Sequence, residues 1–98
     1  MRADVNEVLK EVKTSLQVSE HTATIAAQIL HKLDKKGLLR RKKLISCVGA
    51  AFYTACKLTG EIRSQSIIAG RLNISENTIR NHSRKHSKIL SLIALRET

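Results

Sequence analysis

The chain has 98 residues, 42% of them hydrophobic, no proline and a formal net charge of +10, which bounds it to one small domain with a single modest core and nothing to break long helices. The charge is uneven: residues 1–34 hold four Lys/Arg against five Asp/Glu, whereas residues 35–98 hold fourteen against three, so a polyanionic partner is expected on one side of the molecule. No apolar run approaches a membrane span and residues 1–20 lack the apolar core of a signal peptide, so a soluble, intracellular protein without a membrane partner is expected.

In chain order, Val5, Val8, Leu9, Val12 and Leu16 recur at spacings of three and four, and predict an amphipathic helix over residues 3–16 whose polar face is merely solvated. Ser19 is placed to cap a second helix from Glu20 to about Lys36. Its face of Ala23, Ala26, Ala27, Ile29, Leu30 and Leu33 invites a close neighbour, and Gly37 is a natural stop. Next comes a cationic connection, Arg40, Arg41, Lys42 and Lys43, which reads either as a solvated run or as a grip on phosphates. Residues 43–59 are apolar almost all round, so this helix must be enclosed by others, and Gly60 ends it. Cys47 and Cys56 fall on opposite faces of it, too far out of phase to bridge each other, and read as buried thiols.

The stretch from Ser64 to about Leu90 reads as a helix-turn-helix. Ser64 caps its first helix, and Ile67, Ile68 and Leu72 form an apolar stripe. Asn73 tolerates the left-handed turn conformation, Ile74 plugs the elbow, Ser75 caps the second helix, and Ile79 packs back on the first. That leaves Asn77, Arg80, Asn81, Arg84 and Lys88 on a free face, types that hydrogen-bond base edges and phosphates. The helix should continue through Ile89, Leu90, Leu92, Ile93 and Leu95, which pack inward or meet a partner.

Five helices with the third buried and the last two forming a helix-turn-helix resemble a cyclin-like repeat. In particular the chain is similar to the second, C-terminal repeat of archaeal transcription factor B and eukaryotic transcription factor IIB. The resemblance rests on Leu16, Val18 and Ser19; on Ala50, Ala51, Phe52, Tyr53, Ala55 and Cys56; on Gly60, Glu61, Arg63 and Gln65; and on Ile68, Ala69, Ile74, Ser75, Thr78, Ile79, Arg80 and Asn81. It implies an all-α, five-helix cyclin-like fold over residues 1–98. It also implies binding of double-stranded DNA beside a TATA element, together with TATA-binding protein, in transcription initiation or its regulation, with a second repeat or RNA polymerase as further partners. Carried over by position, Asn77, Thr78, Arg80, Asn81 and Arg84 would face bases, while Arg63, Ser64, Gln65, Lys85, Lys88, Arg40, Arg41, Lys42 and Lys43 would lie along the backbone. The setting would be the cytoplasm of an archaeon or a eukaryotic nucleus.

The departures are informative. The residues hold one repeat and no CxxC ribbon, as in the C-terminal part of a two-repeat factor or a single-repeat relative. Leu39, Arg40, Arg41 and Lys42 replace the Gly-Arg-x-Pro that usually precedes the central helix, Ser83 stands where an aromatic residue is common, and His86 where an apolar one is.

Other chemistries fit less well. No phosphate loop or nucleophile motif occurs and the carboxylates sit on predicted helix surfaces, so neither an enzyme nor a cofactor is expected. His82 and His86, at i and i+4, could share a metal ion, but with no obvious third ligand none is expected. Phe52 and Tyr53 are the only aromatic residues and are placed inside the buried helix, which disfavours single-stranded nucleic acid. The rivals are a cyclin-like protein-interaction module, using the first two helices or the apolar tail, and an independent helix-turn-helix regulator.

Overall fold

The computed structural model describes the backbone of residues 3–37, 39 and 43–97, and the side chains of 5–37, 39 and 43–88. Among them are five helices and no strand: α1 Ala3–Leu16, α2 Glu20–Lys35, α3 Leu44–Thr59, α4 Gln65–Leu72 and α5 Glu76–Glu97. The boundaries follow local chemistry. The Ser19, Ser64 and Ser75 hydroxyls accept the backbone N–H of Thr22, Ile67 and Thr78, relieving orphan donors at the starts of α2, α4 and α5. Gly60 closes α3 at φ 77° and Asn73 closes α4 at φ 55°, both left-handed.

Helix α3 is the axis. It packs against each of the other four helices, and Val48, Ala50, Ala51, Phe52 and Ala55 are wholly enclosed. Cys47 and Cys56 are both buried, on opposite faces of the helix, because both of those faces are covered by neighbouring helices. Burial pushes the Cys56 thiol above its ordinary range, so it stays protonated and behaves as a small apolar group. Gly49 is where α4 comes closest: a Cβ there would stand 2.9 Å from Leu72 Cδ1 and 3.5 Å from Ile74 Cδ1. The missing side chain is what lets the elbow of the helix-turn-helix rest on the central helix.

Two polar residues before α4 tie the motif to the far side of the molecule. Glu61 accepts the backbone N–H of Ser19 at 3.0 Å and the hydroxyls of Ser19 and Thr22, and Thr22 and Thr59 share a further 2.9 Å hydrogen bond. Arg63 donates through Nε to the Leu16 carbonyl at 3.1 Å and through Nη2 to that of Gln17 at 3.0 Å. Arg71 donates to Ser15 next to them. Glu61 thus completes the N-terminal cap of α2, while the two arginines satisfy carbonyls at the end of α1, where a positive charge also complements the helix dipole.

These bonds set a pH dependence. The Thr22 hydroxyl, then the Ser19 backbone, hold the Glu61 carboxyl below its ordinary range, against a smaller opposing effect of desolvation. A depressed folded pKa contributes stability that is present above the unfolded value and lost as the pH falls through the folded one. Glu61→Gln should therefore lower the melting temperature at neutral pH and flatten its acid-side decline. Thermal melts that fall equally steeply from neutral pH to pH 3 in both proteins would refute this.

Two expectations need correction. Ile67 does not belong to the buried stripe of α4: it is 46% exposed, while Ile68 is enclosed and Leu72 half-buried. Two turns of helix leave the facing direction to tertiary contacts, and Ile67 lies off the side that meets α3. Tyr53 is not interior either, being half-buried on the flank of α3 beneath Lys57, whose ammonium stands 4.8 Å from the ring centre. By contrast α5 does dock on α3 despite Ser83 and His86. Both are buried there, and Ser83 Oγ lies 3.3 Å from Thr54 Oγ1. Arg40, Arg41 and Lys42, and the side chains of Ile89, Leu90, Leu92, Ile93 and Leu95, lie outside the described residues.

Candidate nucleic-acid interface

At 100° per residue, Ile79, Ser83 and His86 share one side of α5, and all three are buried. Asn77, Arg80, Asn81, Arg84, Lys85 and Lys88 occupy an arc of about 140° on the other side, and all six are exposed. Packing of three residues on α3 therefore decides which six face outward. Four of the six are cations, and Glu76, in the first turn, complements the positive end of the helix dipole. The face carries amide side chains that can pair with base edges and guanidinium and ammonium groups that can reach phosphates.

The remaining sequence candidates are less uniform. Thr78 is half-buried and its hydroxyl lies 2.7 Å from Ser75 Oγ within the cap, so it stands at the edge of the face with its polar atom already engaged. Ser64 is exposed, but its oxygen caps α4. Arg63 spends its guanidinium on α1 and on the carbonyl of Ile62. Gln65 is half-buried at the start of α4, and Lys43 is exposed ahead of α3.

Beside the arc lies an open groove of about 420 Å³ lined by Tyr53, Lys57, Gln65, Arg80 and Arg84, with Ser83 and Ser87. It brings together α3, α4 and α5, and adds Tyr53 and Lys57 to the basic surface. Sequence reasoning passed over both because an apolar helix hides which of its flanks lacks a neighbour. The i, i+4 pairing of Tyr53 with Lys57 was the available signal. Two further grooves follow α1 and α2. The first is lined by Leu9, Lys13, Glu20 and Ala27 and the second by Asn6, Gln28 and His31, among others, and neither brings two carboxylates together.

The expectation that His82 and His86 lack a third metal donor fails. Cys47, from α3, meets them, and one donor atom from each of the three lies within 4.8 Å of the others. The contact was hidden because it joins residues 35 positions apart on two helices. No helix among the described residues is long and apolar enough to cross a membrane.

Comparison with known proteins bears on this surface. The family model described as the transcription factor TFIIB repeat matches residues 2–89. Transcription initiation factor IIB of Caldivirga maquilingensis is 29% identical over 90 residues, covering 92% of this chain and 27% of that protein. That of Methanopyrus kandleri is 33% identical over 84 residues, covering 86% and 27%. That of Pyrococcus furiosus is 38% identical over 66 residues, covering 67% and 22%. The chain spans about a quarter of the length of the curated relatives it matches.

Proposed function

The chain belongs to the transcription factor TFIIB repeat family, and from that membership we propose that it acts in transcription initiation as a double-stranded DNA-binding core repeat, with the TATA-binding protein–promoter complex as its partner. In this reading α5 enters the major groove beside the TATA element, as expected of a second repeat. Asn77, Arg80, Asn81 and Arg84 face bases, with Thr78 at the edge of the contact. Lys85, Lys88, Lys43 and Gln65 lie along the backbone, as do Arg40, Arg41 and Lys42, and Ser64 and Arg63 position α4 more than they touch phosphate. A further repeat or the polymerase would complete the assembly. The reading assigns the chain no reaction.

The observation that carries it is the exposed arc of α5, which holds only amide and cationic side chains while the opposite side is fixed by α3. Six residues on one helix give limited discrimination alone, so the fit is to a surface that works beside a partner already on the DNA. The test is a gel shift with a TATA-containing duplex, with and without TATA-binding protein. A shift requiring both is expected, and Arg80→Ala should weaken it by about 1–3 kcal/mol. A shift by the chain alone would replace this reading with an independent regulator.

A second reading draws on a different observation. Leu58, Ile62 and Ile67 are 68%, 66% and 46% exposed, three large apolar side chains within ten residues. They are the kind of surface an interaction module would use. If no duplex is shifted in either condition, and Arg80→Ala leaves partner binding unchanged, that reading prevails.

A further inference from the structure

We propose that Cys47, His82 and His86 form a metal site for a borderline-soft divalent ion, zinc being the best fit, which clips the recognition helix α5 to the central helix α3. One donor atom from each residue lies within 4.8 Å of the other two, and Cys47 Sγ and His82 Nδ1 are 3.8 Å apart. In a tetrahedral zinc site with bonds near 2.3 Å to sulfur and 2.0 Å to nitrogen, neighbouring donors stand roughly 3.3–3.6 Å apart. The Cys–His edge is therefore within a few tenths of an ångström of the required length, and rotation of the side chains closes the rest.

An independent observation points to the same place. His86 is 4% exposed, and its Nδ1 has no hydrogen-bond partner among the described residues. Buried polar atoms are rarely left so, and each such atom calls for an explanation such as an ion. As a neutral imidazole the ring offers that nitrogen's lone pair to an ion. The two rings are 6.1 Å apart at 63°, splayed as ligands around one centre must be.

The donor set chooses the class of ion. One thiolate with two imidazoles suits zinc and cobalt(II) and offers little to magnesium or calcium, which take oxygen. On binding, the Cys47 thiol gives its proton to solvent and the ion takes its place on sulfur, leaving the site with a net charge of +1. No fourth Cys, His, Asp or Glu joins the group among the described residues, so water takes the fourth position. The clip begins at the residue after Asn81 and would fix the pitch of the exposed arc from behind. It is independent of what that arc binds.

The experiment is a titration of the full chain, reduced and freed of metal by chelation, with Co²⁺ as the probe. The expected result is a one-to-one complex with visible bands of tetrahedral cobalt and a near-ultraviolet sulfur-to-cobalt band. One proton should be released, both sets of bands should be bleached by an equivalent of Zn²⁺, and the melting temperature should rise. Cys47→Ser should remove the sulfur band and weaken Co²⁺ by roughly 100-fold or more, while Cys56→Ser should leave both unchanged. His82→Ala, at a half-buried position, serves if the Cys47 variant does not fold, and should weaken Co²⁺ while retaining the sulfur band. Absence of the bands from folded protein under excess Co²⁺ would overturn the proposal. So would a sulfur band that survives Cys47→Ser or vanishes in Cys56→Ser, or a Co²⁺ affinity unaltered by His82→Ala.

Discussion

Replacing Arg80, Arg84, Lys85 and Lys88 together with glutamine is expected to flatten the salt dependence of duplex binding more than any other change to the described surface. Each phosphate neutralised on B-form DNA contributes about 0.9 to the slope of log affinity against log salt. Four cations on the exposed arc should therefore remove about three to four units of slope. All four are exposed, and among the described residues none of their side chains makes a hydrogen bond or ion pair, so helix content and melting temperature should hold. Single glutamine substitutions should each remove about one unit and act alike on every duplex, whereas Asn81→Ala should act on sequence preference and leave the slope unchanged. Titrations at several salt concentrations, in the presence of TATA-binding protein, measure both. A slope that survives the fourfold change would mean that α5 does not lie along phosphates and would move attention to the cations at 40–43.

The second large effect is on stability. Phe52→Ala should cost about 3–5 kcal/mol, because the ring is wholly enclosed at the centre of α3 and its removal leaves a cavity bounded by helices that cannot all collapse inward. A domain of this size has about 5–15 kcal/mol in all, so the variant would lose a large share of its stability and its midpoint in urea would drop accordingly. Leu58→Ala, six residues along the same helix but 68% exposed, should change stability by no more than about 0.5 kcal/mol. Comparable losses for the two would contradict the burial described for α3.

How far the residues alone disclose this architecture depends on the range over which each feature is encoded. Helix boundaries are local, so Ser19, Ser64, Ser75, Gly60 and Asn73 could be read directly: each is a residue whose own side chain or backbone freedom makes the cap. The enclosure of α3 was equally legible, because a helix apolar all round has few other fates. The direction in which Ile67 points was not, since eight residues of helix offer too few repeats to define a face. Tyr53 was misplaced for the converse reason, a uniformly apolar pattern giving no sign of which flank stays open. The Glu61 and Arg63 contacts and the meeting of Cys47 with His82 and His86 were beyond reach, because they pair residues of opposite halves of the chain whose proximity only the completed packing creates. The arc from Asn77 to Lys88 lay between these cases, with its periodicity plain and its outward direction decided by Ile79, Ser83 and His86.

The polar contacts that tie α4 and the segment before it to the junction of α1 and α2 also bear on the order in which the molecule assembles. Ser19 with Glu61, Leu16 with Arg63 and Ser15 with Arg71 join residues 42, 47 and 56 positions apart. The entropy of closing a loop rises only with the logarithm of its length, so stretching it from 42 to 56 residues adds about 0.3 kcal/mol. One closure, once made, leaves the other two contacts almost free of further chain entropy. The three should therefore form as a group, late, after α2 and α3 have brought residues 19 and 60 together. The helix-turn-helix is then expected to be set in place last, and to loosen first when the end of α1 or the start of α2 is disturbed.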